Sequence, residues 1–358
     1  MSDANNQMPQ APPPLNFGMP PPPLKLAMPI SIPTLPLNLV GPPPPLDFGP
    51  PPPPILAMPP IPTISSDYIF QDGDNNVTNN SADAFEIMTT DFNEKVTGAI
   101  MRGGRRNQED RLFALQNNVT GEKIFCVLDG HSGINAADCT KDYLLQTIVS
   151  KKTTESFPDA ITNAFIEIEQ IFKNSIRDDS GTCVLLAAIQ GSSVTIANSG
   201  DCRAILVKKD GSIKVLNTEH SALIPEEAER SIAAGLWIED DSVFSYSNGL
   251  RVSRSIGDLR FKGSSEDPKK HGVTCIPEIL TIESDDTWHT LLLMSDGCDN
   301  VPLEMMASMC MKMSNNDLAQ HIIKNSRDSC DNATCIAISM NSTTSTNCGG
   351  GGGGGSVE

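Results

Sequence analysis

An apolar run that ends abruptly in Asp129-Gly130-His131 constrains this chain more than any other stretch. The consecutive apolar residues 124–128 are typical of a strand that is buried on both faces. Asp-Gly also favours tight turns for purely conformational reasons, and we interpret Asp210-Gly211 as such a turn in a plain hairpin. The run therefore predicts a buried strand with a carboxylate at its end, while the role of Asp129 stays open between a turn and a functional site.

Other acidic residues occupy equivalent positions at the ends of predicted strands. Asp296 follows the apolar run 291–294 in a second Asp-Gly arrangement, whereas Asp331, Glu109 and Asp178 each come shortly before an apolar strand. If these strands share sheets, the acids can gather at one rim, where their mutual repulsion is relieved by protonation or by bound cations. Because the set offers oxygen ligands and no Cys or His cluster, it predicts Mg²⁺ or Mn²⁺.

A site with two such metal ions, an arginine and a histidine is typical of phosphoester hydrolysis. Two metal ions can lower the pKa of a shared water. An arginine fork can hold phosphate oxygens, and a histidine can protonate the departing alkoxide. Each acid taken singly can instead be a turn or cap residue, and the convergence of the five acids is a hypothesis at this point.

Short apolar strands with a few helices, rather than strict strand–helix alternation, predict an α+β fold of antiparallel sheets covered by helices. The predicted strands are Leu112–Leu115, Ile124–Leu128, Cys183–Ile189, Val194–Asn198, Ala204–Val207, Ile213–Leu216, Leu280–Ile282, Thr290–Met294 and Thr334–Ile338. The predicted helices are Asn135–Val149, Ala160–Asn174, Pro225–Ala234, Leu303–Met311 and Asn316–Asn325.

The prolines divide the chain. Of the 28 prolines, 23 lie before Ser65, in a predicted arm (residues 1–66) that contains an imperfect duplication and should be extended without a core. Such an arm is typical of ligands for SH3, WW, EVH1 or profilin-like modules, although a low-complexity spacer is the alternative. We predict a linker over 67–90, a globular domain over 91–341 and a flexible Gly-rich tail over 342–358.

Composition excludes several function classes. The net charge of −18 argues against nucleic-acid binding, which needs clustered Lys and Arg. No apolar run approaches membrane-spanning length, and the N-terminus shows neither a signal peptide nor a myristoylation glycine. The ten cysteines lack zinc-site spacing and predict buried core residues in a reducing compartment. We therefore expect a monomer located in the cytoplasm or the nucleus.

Between Asp91 and Met340 the motifs resemble, in order, those of the metal-dependent protein phosphatase 2C (PPM) family. They are Gly104-Arg105, Glu109-Asp110, Val127–Gly133, Ser180–Thr182, Ala197–Ala204, Leu250–Asp258, Pro277–Ile279, Ser295–Asp299 and Asp331–Thr334. Each motif alone is weak, but the full set in register is specific. Ser132 and Cys298 depart from the family pattern, and neither stands at a ligand position. The resemblance implies an αββα four-layer sandwich of two antiparallel sheets flanked by helix pairs.

The resemblance also implies a ligand set. Glu109, Asp129 and the carbonyl of Gly130 would hold one metal ion, and Asp129, Asp296 and Asp331 would hold the other, with Asp129 bridging the two. A weaker third ion would use Asp296 together with Asp178.

The remaining roles implied by the resemblance concern substrate and proton transfer. Arg105 would bind the substrate phosphate, His131 would be the general acid, and Asp110 would lie in the layer behind the ligands. The segment Asp201-Cys202-Arg203 and Arg254 would instead make structural salt bridges or turns.

By the same resemblance, the chain would be an Mg²⁺- or Mn²⁺-dependent phosphatase of phosphoserine and phosphothreonine in phosphoprotein substrates. The reaction would be direct attack by a metal-bridging hydroxide, without a phospho-enzyme. Two alternatives stay open, namely a catalytically silent adaptor that acts through the proline-rich arm and a hydrolase of small phosphoesters.

Overall fold

Two antiparallel β-sheets packed face to face form the centre of the computed structural model, which describes residues 54–63, 66–72, 87–93, 95–327 and 330–340. Most of the predicted proline-rich arm, including the first copy of its repeat, lies outside the described residues, as does the predicted Gly-rich tail.

The described part of the chain forms sixteen strands and five α-helices. The strands are β1 (Tyr68–Asp72), β2 (Ile87–Asn93), β3 (Val96–Met101), β4 (Arg111–Asn117), β5 (Lys123–His131), β6 (Gly181–Gln190), β7 (Ser193–Ser199), β8 (Arg203–Lys208), β9 (Ile213–Val215), β10 (Trp237–Glu239), β11 (Ser242–Ser245), β12 (Asn248–Leu250), β13 (Ile256–Gly257), β14 (Glu278–Glu283), β15 (Trp288–Met294) and β16 (Ala333–Ser339).

The helices are α1 (Asn135–Lys151), α2 (Phe157–Ser175), α3 (Pro225–Ala233), α4 (Leu303–Lys312) and α5 (Asn315–Asn325). Local signals set their ends: the side chain of Ser156 caps α2 by accepting a hydrogen bond from the backbone N–H of Asp159, and Pro225 begins α3. All five predicted helices are confirmed, with bounds that differ by no more than three residues.

The larger sheet has the strand order β1-β4-β5-β6-β7-β14, with β13 paired to β6, and the other large sheet has the order β2-β3-β16-β15-β8-β9. Strands β10, β11 and β12 form a separate three-stranded sheet. In the two large sheets, β5, β7, β15 and β16 each begin or end close to an aspartate. These strand ends place the acidic residues of the candidate site.

The core lies in three layers, and strand β5 shows how the sequence builds them. Ile124, Cys126 and Leu128 pack against helices α1 and α2, whereas the alternate residues Phe125 and Val127 pack between the two sheets. Helices α4 and α5 cover the outer face of the other sheet. This arrangement confirms the predicted αββα sandwich and explains the continuous apolar run, since both faces of the strand are buried.

Part of the segment predicted as a linker belongs to the sheets. Strand β1 pairs with β4 from Tyr68 opposite Asn117 to Asp72 opposite Phe113, and β2 pairs with β3. β1 is an edge strand in which most residues are only partly buried, so it lacks the apolar run that marks the central strands.

The end of the proline-rich arm, residues 54–63, lies along helices α1 and α2 without regular secondary structure. The backbone N–H of Leu56 donates to the carbonyl of Asn174 at 2.9 Å, and the hydroxyl of Tyr143 donates to the carbonyl of Pro59. This stretch is therefore held by hydrogen bonds that its own main-chain atoms make with the helices, while the side chains of Ile55 and Ile61 are largely exposed.

None of the helices in the described ranges has both the length and the apolar character that a membrane crossing requires.

Candidate metal centre

Three aspartates that lie far apart in sequence meet at one rim of the sandwich. Asp129 is near the end of β5, Asp201 follows β7 and Asp296 follows β15. One carboxylate oxygen from each lies within 4.8 Å of the other two, and all three residues are half-buried. The backbone N–H of Asp296 also points at the Asp129 carboxylate, 3.4 Å from its Oδ2.

The glycines of the two Asp-Gly motifs allow neighbouring loops to approach closely. A Cβ atom on Gly130 would lie 2.2 Å from the carbonyl oxygen of Glu109, and one on Gly297 would lie 1.8 Å from the carbonyl oxygen of Asn332. Any larger residue would therefore push these loops apart. The two glycines thus bring Glu109 beside the end of β5 and bring the segment after Asp331 beside Asp296.

Asp110 lies behind this rim and is buried. Its Oδ2 accepts hydrogen bonds from the Ser295 hydroxyl at 2.9 Å and the Thr334 hydroxyl at 2.7 Å, while its Oδ1 has no hydrogen-bond partner among the described residues. Burial raises the pKa of Asp110 to about 7, against the opposing effect of the two hydroxyls. Asp110 therefore connects the loops that carry Asp296 and Asp331.

Burial and crowding make the cluster unfavourable as a set of free anions. Burial, followed by the charges of neighbouring aspartates, raises the pKa of Asp129 well above its ordinary value and raises that of Asp296 to about 7. Such carboxylates take up either protons or cations. Because the donors are oxygens, the cluster is suited to hard divalent cations such as Mg²⁺ or Mn²⁺.

Arg105 and Asp331 form an ion pair at the edge of the cluster. The Nη2 atom of Arg105 lies 2.6 Å from Oδ2 of Asp331, and the arginine side chain is about half exposed. A cavity of about 200 Å³ opens here; it is lined by Arg105, Asp129, Gly130, His131, Cys183, Asp201, Gly249, Leu250, Arg251, Val252, Asp296 and Asp331. A planar guanidinium therefore faces the same space as the clustered carboxylates.

His131 is held in place by a buried aspartate. Its Nε2 lies 2.7 Å from Oδ2 of Asp258, which also accepts a hydrogen bond from the Ser255 hydroxyl. Burial lowers the pKa of His131, but the charge and hydrogen bond of Asp258, with smaller contributions from Asp201 and Glu109, raise it above its ordinary value. Asp258 thus favours the protonated form of the imidazole close to the carboxylate cluster.

Asp178 is engaged away from the cavity. Its carboxylate accepts hydrogen bonds from the side-chain amide of Asn135 at 2.6 Å and from the hydroxyl of Ser180 at 2.6 Å. It does not line the cavity beside Asp129. The third-ion role that the resemblance implies for Asp178 stays a prediction.

Two residues of this site do not stand out as functional in the sequence. Asp201, which the resemblance makes structural, joins the cluster; it follows a strand, which is the same signal that marks Asp129 and Asp296. Asp258 ends the motif Leu250–Asp258, but no local signal indicates its contact with His131, which lies 127 residues away. Arg254 is structural as predicted, since its Nη2 pairs with Oε1 of Glu227 at 2.6 Å.

Comparison with known proteins gives one consistent family. The family model for protein phosphatase 2C matches residues 94–349. The protein named "Probable protein phosphatase 2C 22" of Arabidopsis thaliana is 30% identical over 224 residues, which cover 58% of this chain and 54% of that protein. "Probable protein phosphatase 2C 55" of Oryza sativa subsp. japonica is 30% identical over 258 residues, which cover 69% of this chain and 66% of that protein. The chain spans about half the length of the first of these relatives.

Solved structures support the fold. A serine-threonine phosphatase 2C from Toxoplasma gondii superposes with a TM-score of 0.59 at 18% identity, covering 71% of this chain and 99% of that one. A C. elegans sex determining protein superposes with a TM-score of 0.57 at 18% identity, and the match covers 70% of this chain and 66% of that one. At this identity the likeness concerns the fold. Since the family model matches well over half of the residues, this chain belongs to the protein phosphatase 2C family.

Proposed function

We propose that this chain hydrolyses phosphoserine and phosphothreonine in phosphoprotein substrates, with Mg²⁺ or Mn²⁺ bound at the carboxylate cluster. The observation that carries the proposal is the meeting of Asp129, Asp201 and Asp296 within 4.8 Å in a cavity that Arg105 and His131 also line. Family membership supports the same reaction class.

The cations would divide their ligands into two groups that share Asp129, and Asp201 of the observed cluster would lie beside them. Glu109, Asp129 and the carbonyl of Gly130 would hold one ion, and Asp129, Asp296 and Asp331 would hold the other. When bound, two such cations would lower the pKa of a shared water and so supply a hydroxide for direct attack on phosphorus, without a phospho-enzyme. Asp110 orients the loops behind them through Ser295 and Thr334.

Arg105 and His131 act on the substrate. The guanidinium of Arg105 offers a planar pair of N–H donors to two phosphate oxygens, and its exposed side chain can move from Asp331 to the substrate. His131 donates a proton to the serine or threonine oxygen as the ester bond breaks. Asp258 would orient that imidazole and favour its protonated form.

The test is phosphate release from a phosphothreonine peptide by the full chain, with Mn²⁺, with EDTA, and in Asp296→Asn. We expect Mn²⁺-dependent release that both EDTA and Asp296→Asn reduce by about a hundredfold or more. Asp210→Asn is the matched control, because Asp210 lies in an exposed hairpin turn, and it should keep full activity. Folded protein that releases no phosphate with Mn²⁺ present would contradict the proposal and favour the adaptor alternative.

A second comparison separates protein substrates from small phosphoesters. The values of kcat/KM are measured for the phosphothreonine peptide and for free phosphothreonine. Higher kcat/KM for the peptide supports a protein phosphatase. Higher kcat/KM for the free amino acid would favour the small-phosphoester alternative, with the same metal dependence.

A further inference from the structure

Arg251 lies where the proposed catalytic cavity meets a second cavity of about 480 Å³. It lines both spaces, and the other residues that line both are Asp201, Asp296 and Asp331. The resemblance gives Arg251 no role, and the reaction proposed above does not use it. Its position puts a second guanidinium, besides that of Arg105, on the wall of the space that holds the carboxylate cluster.

The backbone on both sides of Arg251 is fixed, whereas its side chain can move. Leu250 belongs to strand β12, and Val252 is buried and forms a single antiparallel bridge with Ser221. The side chain of Arg251 is 75% exposed, and its Nε lies 3.3 Å from Oδ2 of Asp241. Exposed ion pairs of this kind contribute little to stability. The guanidinium can therefore leave Asp241 for a stronger anion at small cost.

The catalytic cavity around Arg251 is otherwise acidic. Besides two arginines and a histidine, its charged lining residues are Asp129, Asp201, Asp296 and Asp331. Burial raises the pKa of Asp201, and the charge of Arg251 is among the smaller effects that lower it, so Arg251 already acts on the cluster electrostatically. Asp201 belongs to neither proposed ligand group. A phosphate dianion is repelled by any carboxylate that no cation neutralises, and a second cationic side chain favours its binding.

We propose that Arg251 binds the phosphate group of the substrate together with Arg105. The catalytic cavity, at about 200 Å³, is smaller than most small-molecule sites, so a phosphate inside it lies close to every wall. The planar N–H donors of an arginine match phosphate oxygens. Arg251 leaves Asp241 for the phosphate, as Arg105 leaves Asp331. This role rests on the proposed phosphatase function and adds a substrate-binding residue to it.

Arg251→Gln in the full chain, with Mg²⁺ present, tests this role. The KM for a phosphothreonine peptide and the KM for p-nitrophenyl phosphate should both rise about tenfold, which is the low end for a hydrogen bond to a charged group because the arginine is exposed. Both substrates should respond equally, since they share only the phosphate. We expect kcat to change by less than about twofold, because the contact is made in the ground state and in the transition state alike.

Asp241→Asn is the matched control, because it removes the partner of Arg251 and keeps the arginine. Its KM values should equal or fall below those of the wild type. Equal increases in KM in Asp241→Asn and Arg251→Gln would mean that Arg251 only supports its loop, and would overturn the proposal. An increase confined to the peptide would place Arg251 on the polypeptide and overturn it as well. Arg260→Gln, in an exposed ion pair with Asp179 outside this cavity, should change neither KM.

Isothermal titration calorimetry with inorganic phosphate separates this inference from the proposed function. With Mg²⁺ present, the wild type should bind phosphate about tenfold more tightly than Arg251→Gln, whether or not the chain releases phosphate from a peptide. Equal phosphate affinities, or no binding by the wild type, would overturn the role of Arg251. A wild type without phosphatase activity that still binds phosphate more tightly than Arg251→Gln would support the role of Arg251 in binding and contradict the proposed reaction alone.

Discussion

The Nε2 atom of His131 lies 2.7 Å from Oδ2 of Asp258, and this contact joins the end of β5 to the segment that follows β13. The aspartate is itself buried and accepts a hydrogen bond from Ser255. Because the charge of Asp258 counteracts the effect of burial on His131, the pKa of the imidazole stays above its ordinary value. The pair thus favours a protonated imidazole beside a cluster of acids.

We expect Asp258→Asn to lower kcat for a phosphothreonine peptide by about 10²-fold, within the range that general acid catalysis contributes. The variant should also move the alkaline limb of the pH–rate profile to lower pH, since loss of the Asp258 charge lowers the pKa of His131. The measurement is kcat/KM from about pH 5 to 9.

A substrate with a good leaving group provides the control for Asp258→Asn. p-Nitrophenyl phosphate releases a stabilised anion that needs little protonation, so its hydrolysis should change far less in Asp258→Asn. Equal losses for both substrates would indicate a structural role for Asp258 in place of a role in positioning the acid.

A glycine comparison tests the close approach of the loops at the metal centre. Gly297→Ala puts a methyl group where the carbonyl oxygen of Asn332 now lies 1.8 Å from the ideal Cβ position. The clash should separate Asp296 from Asp331 and weaken Mn²⁺ binding about tenfold or more by isothermal titration calorimetry.

Gly211→Ala is the matched control, because Gly211 is the glycine of an Asp-Gly turn with no atom within 4 Å of its Cβ position. Its φ of +83° makes alanine strained, which should cost about 1–2 kcal/mol of stability. Mn²⁺ affinity should not change. Unaltered Mn²⁺ binding in Gly297→Ala would refute the view that this glycine sets the spacing of the acids.

Sequence periodicity predicts most of the central elements because they are buried on both faces or amphipathic. Strand β5 and helix α1 are examples, and their predicted bounds lie within three residues of those observed. The buried strand β3 is absent from the prediction, and so are β10, β11 and β12, which contain many exposed and polar residues and form a small sheet of their own. A short, partly exposed strand gives no pattern that separates it from a loop.

The site is predictable only where the signal is local. An acid at a strand end marks Asp129, Asp296 and Asp331, but the same signal also marks Asp178, whose carboxylate is bonded to Asn135 and Ser180. Which strand-end acids converge depends on sheet order and on where each strand stops, and neither is encoded locally. Asp258 illustrates this limit, because only the folded chain brings it to His131.

Removal of metal should make stability fall as the pH rises. Burial raises the pKa of both Asp110 and Asp296 to about 7 in the folded chain, whereas an unfolded aspartate titrates near about 4. The folded state therefore binds more protons, so this contribution is complete below about pH 4 and is lost as the pH rises through about 7. In EDTA we expect stability to decline by about 1 kcal/mol per pH unit near pH 7.

Urea unfolding in EDTA between about pH 6.5 and 8 measures this decline. Mn²⁺ should oppose it, because cations stabilise the ionised carboxylates, and Asp110→Asn should reduce it. Asp210→Asn serves as the control, since Asp210 is exposed and outside the cluster. Constant or rising stability in EDTA across this range would rule out the raised pKa values that we infer for Asp110 and Asp296.

Glu227 is a buried carboxylate that is held by two arginines. Its Oε2 accepts a hydrogen bond from Arg230 at 2.7 Å and its Oε1 accepts one from Arg254 at 2.6 Å, while the Ser253 hydroxyl donates to Oε2. Burial alone would raise the pKa of Glu227, but the arginines lower it to about 2. A shift of this size from the ordinary value corresponds to about 3 kcal/mol.

This contribution is present above about pH 4.5 and is lost as the pH falls toward about 2, because the folded state then binds fewer protons than the unfolded state. We therefore expect Glu227→Gln to lower the free energy of urea unfolding at pH 7 by about 3 kcal/mol, since two arginines lose their anionic partner. Glu229→Gln, on the exposed face of the same helix, should change it by less than about 0.5 kcal/mol. Similar free energies of unfolding for the two variants at pH 7 would show that water solvates both arginines well enough in the absence of the Glu227 carboxylate. The low pKa of Glu227 would then contribute little to the stability of the fold.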